Sequence, residues 1–204
     1  EFNPATDPLI AQNYDARTFR KEKIKNKRAL QAELGLEQDD RKMMIGIVSR
    51  LTDQKGFDLI AYMMDELCQD NVQIIVLGTG EERYENMFRH FAWKYNGKVS
   101  AQIYYSEELS HRIYAASDAF LMPSLFEPCG LSQLMSLRYG TVPIVRETGG
   151  LKDTVWPYNE FEGTGTGFSF TNYNAHEMLA TIRYAEQIYY CLLYTSPSPR
   201  DGLL

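Results

Sequence analysis

Short apolar runs and longer amphipathic stretches alternate along most of this chain. Most of the short runs are almost continuously apolar, as expected for a strand buried on both faces of a parallel sheet. The predicted strands are residues 43–48, 72–77, 98–104, 119–122, 142–145 and 167–170. Between them apolar residues recur every three or four positions, which predicts helices. These helices cover residues 57–67, 82–95, 111–116 and 175–188, with a further one after Gly130. The alternation is typical of a doubly wound α/β domain with a parallel sheet.

The beginning of the chain follows a different pattern. Residues 1–15 contain two prolines and are expected to be extended, whereas residues 16–34 fit an amphipathic helix that ends at Gly35. We therefore assign residues 1–42 to an inter-domain linker and a capping helix, and residues 43–190 to the α/β domain.

The end of the chain also departs from the pattern. From about Cys191 the helical period is lost, and residues 191–204 resemble the translation of a sequencing adapter. A native tail rich in Pro and Ser is the alternative, and no function is assigned to these residues. Because the chain starts at Glu1 inside a proline-containing segment, we expect it to be a fragment.

Composition narrows the class of protein. The formal net charge of −6 over 204 residues argues against a nucleic-acid partner. The three cysteines are widely spaced and form neither a disulfide framework nor a zinc pattern, so we expect a cytoplasmic location. No apolar stretch has the length of a membrane span. The locally basic stretch 20–28 is interpreted as a solvated helix face.

The segment after the fourth predicted strand carries the most informative chemistry. Residues 124–133, Ser-Leu-Phe-Glu-Pro-Cys-Gly-Leu-Ser-Gln, lead into a helix predicted by the spacing of Leu131, Leu134 and Met135. The first amides of a helix have no partner within it and attract anions. Glu127 is suited to accept hydrogen bonds from sugar hydroxyls. Together these features favour a nucleotide-sugar site.

A second chemical cluster follows the first predicted strand. Arg50 and Lys55 lie five residues apart in the turn formed by residues 49–56. The backbone can curl both towards one diphosphate, where Arg50 offers a planar fork and Lys55 a point charge. Such charges would stabilise a nucleoside diphosphate as it leaves. Two unrelated surface cations in a loop are the alternative.

Other turns at the same edge of the sheet are candidates for ligand contact. Gly78-Thr79-Gly80 is half of a dinucleotide fingerprint, and a tight turn is the competing interpretation. The paired glycines of Thr148-Gly149-Gly150 either expose amides to a phosphate or simply form a turn. Tyr104 and Tyr105 end the third predicted strand. Since strand neighbours point to opposite faces, one is expected to pack in the core, and we favour Tyr105 for stacking on a base.

The cysteines and histidines give no catalytic pattern. Cys129 lies at a predicted helix start, which favours a reactive thiol, but no histidine is close to it in sequence. We interpret Cys129 as lining the pocket and His111 as structural. His90 and His176 have no partner pattern for metal binding or acid–base chemistry. We predict no metal site and no cofactor.

Four segments taken together resemble a known family. They are Ser-Arg-Leu-Thr-x-Gln-Lys-Gly at 49–56, Phe-Glu-Pro-Cys-Gly-Leu-Ser-Gln at 126–133, Arg-Tyr-Gly-Thr-Val-Pro-Ile-Val-Arg at 138–146 and Thr-Gly-Gly-Leu-Lys-Asp-Thr-Val at 148–155. They resemble the C-terminal half of bacterial glycogen synthase and plant starch synthase, over roughly residues 1–190. Residues 3–8 are similar to the segment that joins the two domains in this family.

The resemblance implies a GT-B enzyme, whose active site lies between two Rossmann-like halves. Such enzymes transfer glucose from ADP-glucose to the non-reducing end of an α-1,4-glucan, with retention and without a metal. By motif position, Arg50 and Lys55 would hold the diphosphate, and Glu127 would bind the glucose hydroxyls. The binding residues implied in addition are Cys129, Gly130 and Leu131 around the sugar, Ser132, Thr148 and Gly149 near the distal phosphate, and Tyr105 on adenine.

Two departures from the family pattern matter. Many GT-B enzymes carry a second glutamate where this chain has Met135, which agrees with the glycogen synthase branch. The N-terminal domain, with its Lys-x-Gly-Gly-Leu loop and active-site histidine, is absent. We therefore predict that the chain alone has no synthase activity and binds ADP or ADP-glucose weakly. The alternatives are a GT-B transferase that uses a UDP-sugar and a non-catalytic nucleotide-binding module.

Overall fold

A computed structural model describes residues 2–195, the last three by their backbone alone. Over these residues helices alternate with parallel strands. In chain order they are α1 (Phe19–Leu34), β1 (Met43–Val48), α2 (Phe57–Leu67), β2 (Val72–Leu77), α3 (Glu82–Lys94), β3 (Val99–Gln102), α4 (Glu107–Ala116), β4 (Ala119–Met122), α5 (Ser132–Arg138), β5 (Val142–Arg146), α6 (Gly149–Thr154), β6 (Phe168–Phe170) and α7 (Ala175–Thr195).

The six strands form one parallel sheet in the order β3-β2-β1-β4-β5-β6. From β1 the chain builds outwards to β3, then crosses back and continues from β4 on the other side of β1. This topology confirms the doubly wound α/β fold. It also defines a switch point between β1 and β4, where open α/β sheets bind their ligands.

Both faces of the sheet are buried, which explains the continuous apolar runs. Met43, Ile45 and Ile47 of β1 pack into the cluster formed with α2, α3 and α7. Met44, between them, faces the opposite cluster, to which α1 and α4 contribute. All six residues of β2 are buried.

Some element boundaries differ from those expected. β3 ends at Gln102, two residues before the expected end at residue 104. β3 is an edge strand and pairs only with β2, whose last residue, Leu77, is the partner of Gln102. α7 continues to Thr195, past the break expected at Cys191. The rest of the expected adapter-like tail, residues 196–204, lies outside the described residues. Within residues 2–195 no helix has the length and apolar character that crossing a membrane requires.

Helix α1 buries a polar face, so the prediction of a solvated basic face is wrong for two of its lysines. Lys23 and Lys27 are fully buried. The Lys23 ammonium donates to the carbonyl oxygen of Ala115 at 2.6 Å and to the hydroxyl of Thr141 at 2.9 Å. The Lys27 ammonium donates to the carboxylate of Asp118 at 2.7 Å. These bonds replace water around the charges and so allow their burial.

Residues 2–15 are irregular but firmly attached to the α/β domain. The buried carboxylate of Asp7 accepts a hydrogen bond from the Tyr139 hydroxyl at 2.5 Å and lies 2.6 Å from Nδ1 of His111. Burial acts to raise the pKa of Asp7, but its bonds to Tyr139, His111 and the amide of Leu9 lower that pKa overall. His111 therefore has the structural role expected of it.

Candidate active site

The site lies where the chain leaves β1 and β4 at the carboxyl edge of the sheet. The two strands are direct neighbours, paired at Ile45–Ala119 and Gly46–Phe120. The turn after β1 carries Arg50 and Lys55, and the segment after β4 carries Glu127. The topology thus places the two clusters side by side, as expected for the switch point of a doubly wound sheet.

One cavity of about 350 Å³ is lined by both segments. Arg50, Lys55 and Glu127 all contribute to its wall, together with Leu131 and Ser132. The structure therefore confirms the prediction that the two cations and the carboxylate come together at one cavity.

Within this cavity Lys55 and Glu127 are paired with each other. The ammonium of Lys55 lies 2.7 Å from Oε2 of Glu127, and the side chains are 27% and 11% exposed. The hydroxyl of Ser124 donates to the same carboxylate oxygen at 3.3 Å. An anionic ligand would compete with Glu127 for the ammonium, whereas a polyhydroxylated ligand could donate hydrogen bonds to the carboxylate.

The Lys55 turn has its shape because of close backbone packing against the Glu127 segment. A short 3-10 turn (Asp53–Lys55) ends at Gly56, whose φ is +84°. A Cβ at Gly56 would lie 2.1 Å from the carbonyl oxygen of Pro123, so only glycine fits. The amide of Leu125 donates to the carbonyl oxygen of Gln54 at 2.9 Å, which joins the two segments directly.

The segment between β4 and α5 is held by a buried glutamine. Nε2 of Gln133, a fully buried side chain, donates to the carbonyl oxygen of Gly130 at 2.8 Å.

Helix α5 starts at Ser132, as its apolar spacing predicted, but Leu131 and Leu134 are 64% and 45% exposed. Its buried residues are Gln133 and Ser136. The apolar stripe thus located the helix without identifying the face that packs.

The Thr148-Gly149 turn packs on the backbone of this segment. The amide of Gly150 donates to the carbonyl oxygen of Glu127 at 3.1 Å. A Cβ on Gly149, whose φ is +46°, would lie 2.1 Å from the same oxygen. The residues described as lining the 350 Å³ cavity do not include Cys129, Gly130, Thr148 or Gly149, so the expected place of Cys129 in the pocket lining is not seen for this cavity.

A second cavity of about 540 Å³ adjoins the first, because Val48, Ser49 and Arg50 line both. Tyr104 and Tyr105 line it and are 46% and 87% exposed. The expectation that one of them packs in the core is wrong, because β3 ends before them and strand alternation does not apply. Tyr105 remains available for stacking.

The Gly78-Thr79-Gly80 turn borders the second cavity but has a packing role. The amide of Gly80 donates to the carboxylate of Glu85 at 3.0 Å. A Cβ on Gly78 would lie 1.8 Å from the carbonyl oxygen of Ser49. The glycine therefore lets the turn approach the backbone that carries Arg50.

Several residues around the site were not predicted from sequence. Ser124 reaches the Glu127 carboxylate, and Arg146 donates to the carbonyl oxygen of Leu125 at 2.7 Å. For Ser124 the signal was its place two residues after the end of β4. Among the described residues, no group of three or more His, Cys, Asp or Glu side chains is arranged to hold a metal ion.

Two cations and a carboxylate on one switch-point cavity are the arrangement expected of a nucleotide-sugar site in a doubly wound domain. In agreement, residues 29–189 match the family described as "Glycosyl transferases group 1", and the chain belongs to that family.

Two relatives indicate which members of this family the chain is similar to. The glycogen synthases of Lachnospira eligens and Lachnoclostridium phytofermentans are 75% and 70% identical over 190 and 189 residues. Each match covers 93% of this chain and 40% of the relative, so the chain spans about two-fifths of their length. The resemblance predicted from the motifs is thereby confirmed.

Solved structures agree on the fold. The catalytic domain of starch synthase IV from Arabidopsis thaliana, solved with ADP and acarbose, has a TM-score of 0.84 at 34% identity. That match covers 91% of this chain and 39% of the other. The C-terminal domain of a glycosyl transferase group 1 protein from Francisella tularensis has a TM-score of 0.59 at 12% identity, over 87% of this chain and 86% of that domain. This second likeness concerns the fold alone.

Proposed function

We propose that the chain is the donor-binding C-terminal domain of a retaining glucosyltransferase. In the complete enzyme, glucose passes from ADP-glucose to the non-reducing end of an α-1,4-glucan. The observation that carries this proposal is the meeting of Arg50, Lys55 and Glu127 on one cavity. The similarity to glycogen synthases supports the choice of reaction.

The charges have complementary tasks in this proposal. Glu127 accepts hydrogen bonds from the donor glucose hydroxyls. Arg50 and Lys55 hold the diphosphate and stabilise the negative charge that develops as the glycosidic bond breaks. Because these two cations can neutralise the leaving group, we propose that no metal and no cofactor takes part.

The remaining site residues surround the donor. In our proposal Tyr105 stacks on adenine in the 540 Å³ cavity, which adjoins the diphosphate cavity at Arg50. Ser132 and the Thr148-Gly149 turn approach the distal phosphate. Cys129, Gly130 and Leu131 shape the sugar pocket. The acceptor glucan and a second, N-terminal domain complete the site, and we propose a cytoplasmic location.

A chimeric enzyme tests this function. Residues 1–190 replace the matching segment of the Lachnospira eligens glycogen synthase, and glucose incorporation into glycogen is measured from ADP-glucose and from UDP-glucose. We expect turnover with ADP-glucose. Preferential use of UDP-glucose would favour the UDP-sugar transferase instead, and nucleotide binding without turnover from either donor would favour a binding module.

Substitutions in the chimera test the site. Lys55→Ala and Glu127→Ala should each lower the rate by roughly 30- to 1,000-fold, or about 2–4 kcal/mol of transition-state stabilisation. Lys94 and Asp65 form a comparable pair at 2.8 Å on the outer surface of α2 and α3. Lys94→Ala and Asp65→Ala are therefore the matched controls and should leave the rate unchanged. Wild-type rates for both Lys55→Ala and Glu127→Ala would overturn the assignment.

A further inference from the structure

The peptide groups around Leu125 connect the two segments that carry the active-site charges. Its amide donates to the carbonyl oxygen of Gln54, next to Lys55, at 2.9 Å. Its own carbonyl oxygen accepts a hydrogen bond from Nη1 of Arg146 at 2.7 Å. The same nitrogen lies 3.4 Å from the carbonyl oxygen of Ser124. Arg146 thus holds the backbone that leads from β4 to Glu127.

Arg146 is linked in turn to the Lys55 segment through Tyr173. The guanidinium carbon of Arg146 lies 5.6 Å from the centre of the Tyr173 ring. The Tyr173 hydroxyl donates to the carboxylate of Asp58 and lies 3.1 Å from the carbonyl oxygen of Asp53. Burial, and then the bond to Asp58, raise the pKa of Tyr173, which keeps the hydroxyl protonated as a donor.

These contacts close a loop between the two segments. It runs from Asp53 through Tyr173 and Arg146 to Leu125, and returns through Gln54 to the turn of Lys55. Among the residues described as lining the two cavities, neither Arg146 nor Tyr173 appears. Their side-chain hydrogen bonds go to the backbone of the two segments and to Asp58. Any effect of these bonds on the reaction therefore passes through the groups they hold.

We infer that Arg146 and Tyr173 are positioning residues that fix the separation of Lys55 and Glu127. The inference rests on the proposed function. A charge that stabilises a transition state must be held to within about 0.5 Å, and a displacement of about 1 Å can cost roughly 100-fold in rate. The loop of contacts supplies this restraint. Arg146 belongs to β5 and Tyr173 follows β6, so both residues lie outside the two segments that they hold in place.

The test uses the chimeric enzyme with Tyr173→Phe and Arg146→Met. Tyr173→Phe keeps the ring under Arg146 and removes only the hydroxyl. We expect kcat to fall by about 3- to 10-fold for Tyr173→Phe and by about 10- to 100-fold for Arg146→Met, with KM for ADP-glucose changed less than about twofold. Tyr95→Phe is the matched control, because the Tyr95 hydroxyl also donates to a carboxylate, that of Asp65 at 3.0 Å, on the outer surface.

A double-mutant cycle separates positioning from simple stabilisation. In a Lys55→Ala background the ammonium to be positioned is missing, so adding Tyr173→Phe should lower kcat much less than it does alone. Any change in the thermal midpoint should persist in both backgrounds. Full additivity in kcat, or an unchanged kcat in Tyr173→Phe, would overturn the inference even if Arg146→Met fails to fold. An inactive unsubstituted chimera would instead count against the proposed function.

Discussion

Lys55 and Glu127 neutralise each other across the cavity at 2.7 Å, and this pairing links binding to chemistry. A diphosphate that binds Lys55 must replace the Glu127 carboxylate as its partner and also experiences repulsion from that carboxylate. Nucleotide binding and transition-state stabilisation should therefore respond differently to the loss of Glu127, since in the proposed function the carboxylate contacts the sugar and not the nucleotide.

The prediction is that Glu127→Gln binds ADP more tightly while it loses transferase activity. A partly exposed ion pair contributes about 0.3–1 kcal/mol, so the Kd for ADP should fall by roughly two- to fivefold. Isothermal titration of the chimera with ADP measures this directly. Lys55→Gln should weaken ADP binding in the same experiment. Weaker ADP binding in Glu127→Gln would show that the carboxylate does not compete for the ammonium.

For single residues, the sequence predicted the charged side chains of the site better than the residues that hold them in place. Arg50, Lys55 and Glu127 follow strand ends, and parallel strand ends share one edge of the sheet, so their convergence could be inferred. Arg146 could not be assigned in the same way. Its partners are carbonyl oxygens of Ser124 and Leu125, whose directions depend on the backbone path of the turn rather than on residue type.

At the scale of single elements, α1 shows how a charge pattern misleads. Lysines at 23 and 27 recur at helical spacing within a basic stretch, and lysine is seldom fully buried. The partner that permits burial of Lys27, Asp118, is 91 residues away and is invisible to a local pattern.

We predict that Lys27→Met destabilises the chain by about 3–5 kcal/mol, because the carboxylate of Asp118 is left buried without its cation. For a chain of this size the thermal midpoint should fall by roughly 6–20 °C. Lys25→Met is the control, since Lys25 is 46% exposed on the same helix and should change stability by less than about 0.5 kcal/mol. Equal effects of the two substitutions would mean that the buried pair contributes nothing specific.

Helix α7 carries a carboxyl group whose ionisation opposes folding. Burial of Glu186, and then the bond to and charge of Asp70, raise the pKa of Glu186 to about 8, against the opposing charges of Arg183 and Lys98. The folded chain therefore keeps this proton between pH 4.5 and 8, whereas the unfolded chain releases it. Over that window the Glu186 contribution to the free energy of unfolding falls as pH rises.

The corresponding prediction is that Glu186→Gln flattens this dependence. The variant should match the parent near pH 4.5 and exceed its stability by about 1–3 kcal/mol near pH 8, because it has no carboxylate to ionise. Thermal unfolding across pH 4.5–8.5 measures the difference. Glu108→Gln, on the exposed side of α4, should leave the profile unchanged. A parallel shift of the Glu186→Gln curve at every pH would contradict the linkage.

For the whole molecule, the periodicity of apolar residues was enough to predict a doubly wound parallel sheet. It did not determine the strand order, because four of the six runs (residues 43–48, 72–77, 119–122 and 142–145) are apolar along most of their length and any of these four fits the centre. The structure gives the order β3-β2-β1-β4-β5-β6. The site depends on that order, since only adjacency of β1 and β4 brings Arg50, Lys55 and Glu127 to one cavity.

The segment that carries Glu127 into the 350 Å³ cavity also carries apolar side chains that are exposed to solvent. Leu125, Phe126 and Leu131 are 47%, 55% and 64% exposed around the Glu127 segment. Ligand pockets usually have a volume of roughly 300–1,000 Å³, and they bury about 70% or more of the surface of a drug-sized ligand. A second wall over these side chains would provide that enclosure, in agreement with a chain that spans about two-fifths of its relatives.

We therefore predict that the chain alone binds ADP but does not transfer glucose. The Kd for ADP should be roughly 10- to 100-fold weaker than in the chimera, a loss of about 1.4–2.8 kcal/mol, because one side of the nucleotide stays hydrated. Glucose incorporation should be undetectable until the second domain is supplied in the same polypeptide. Lys55→Ala provides the specificity control, since it should abolish the residual ADP binding. Transfer of glucose by the isolated chain would mean that the chemistry needs only the cavity at the switch point and that the exposed apolar side chains have another purpose.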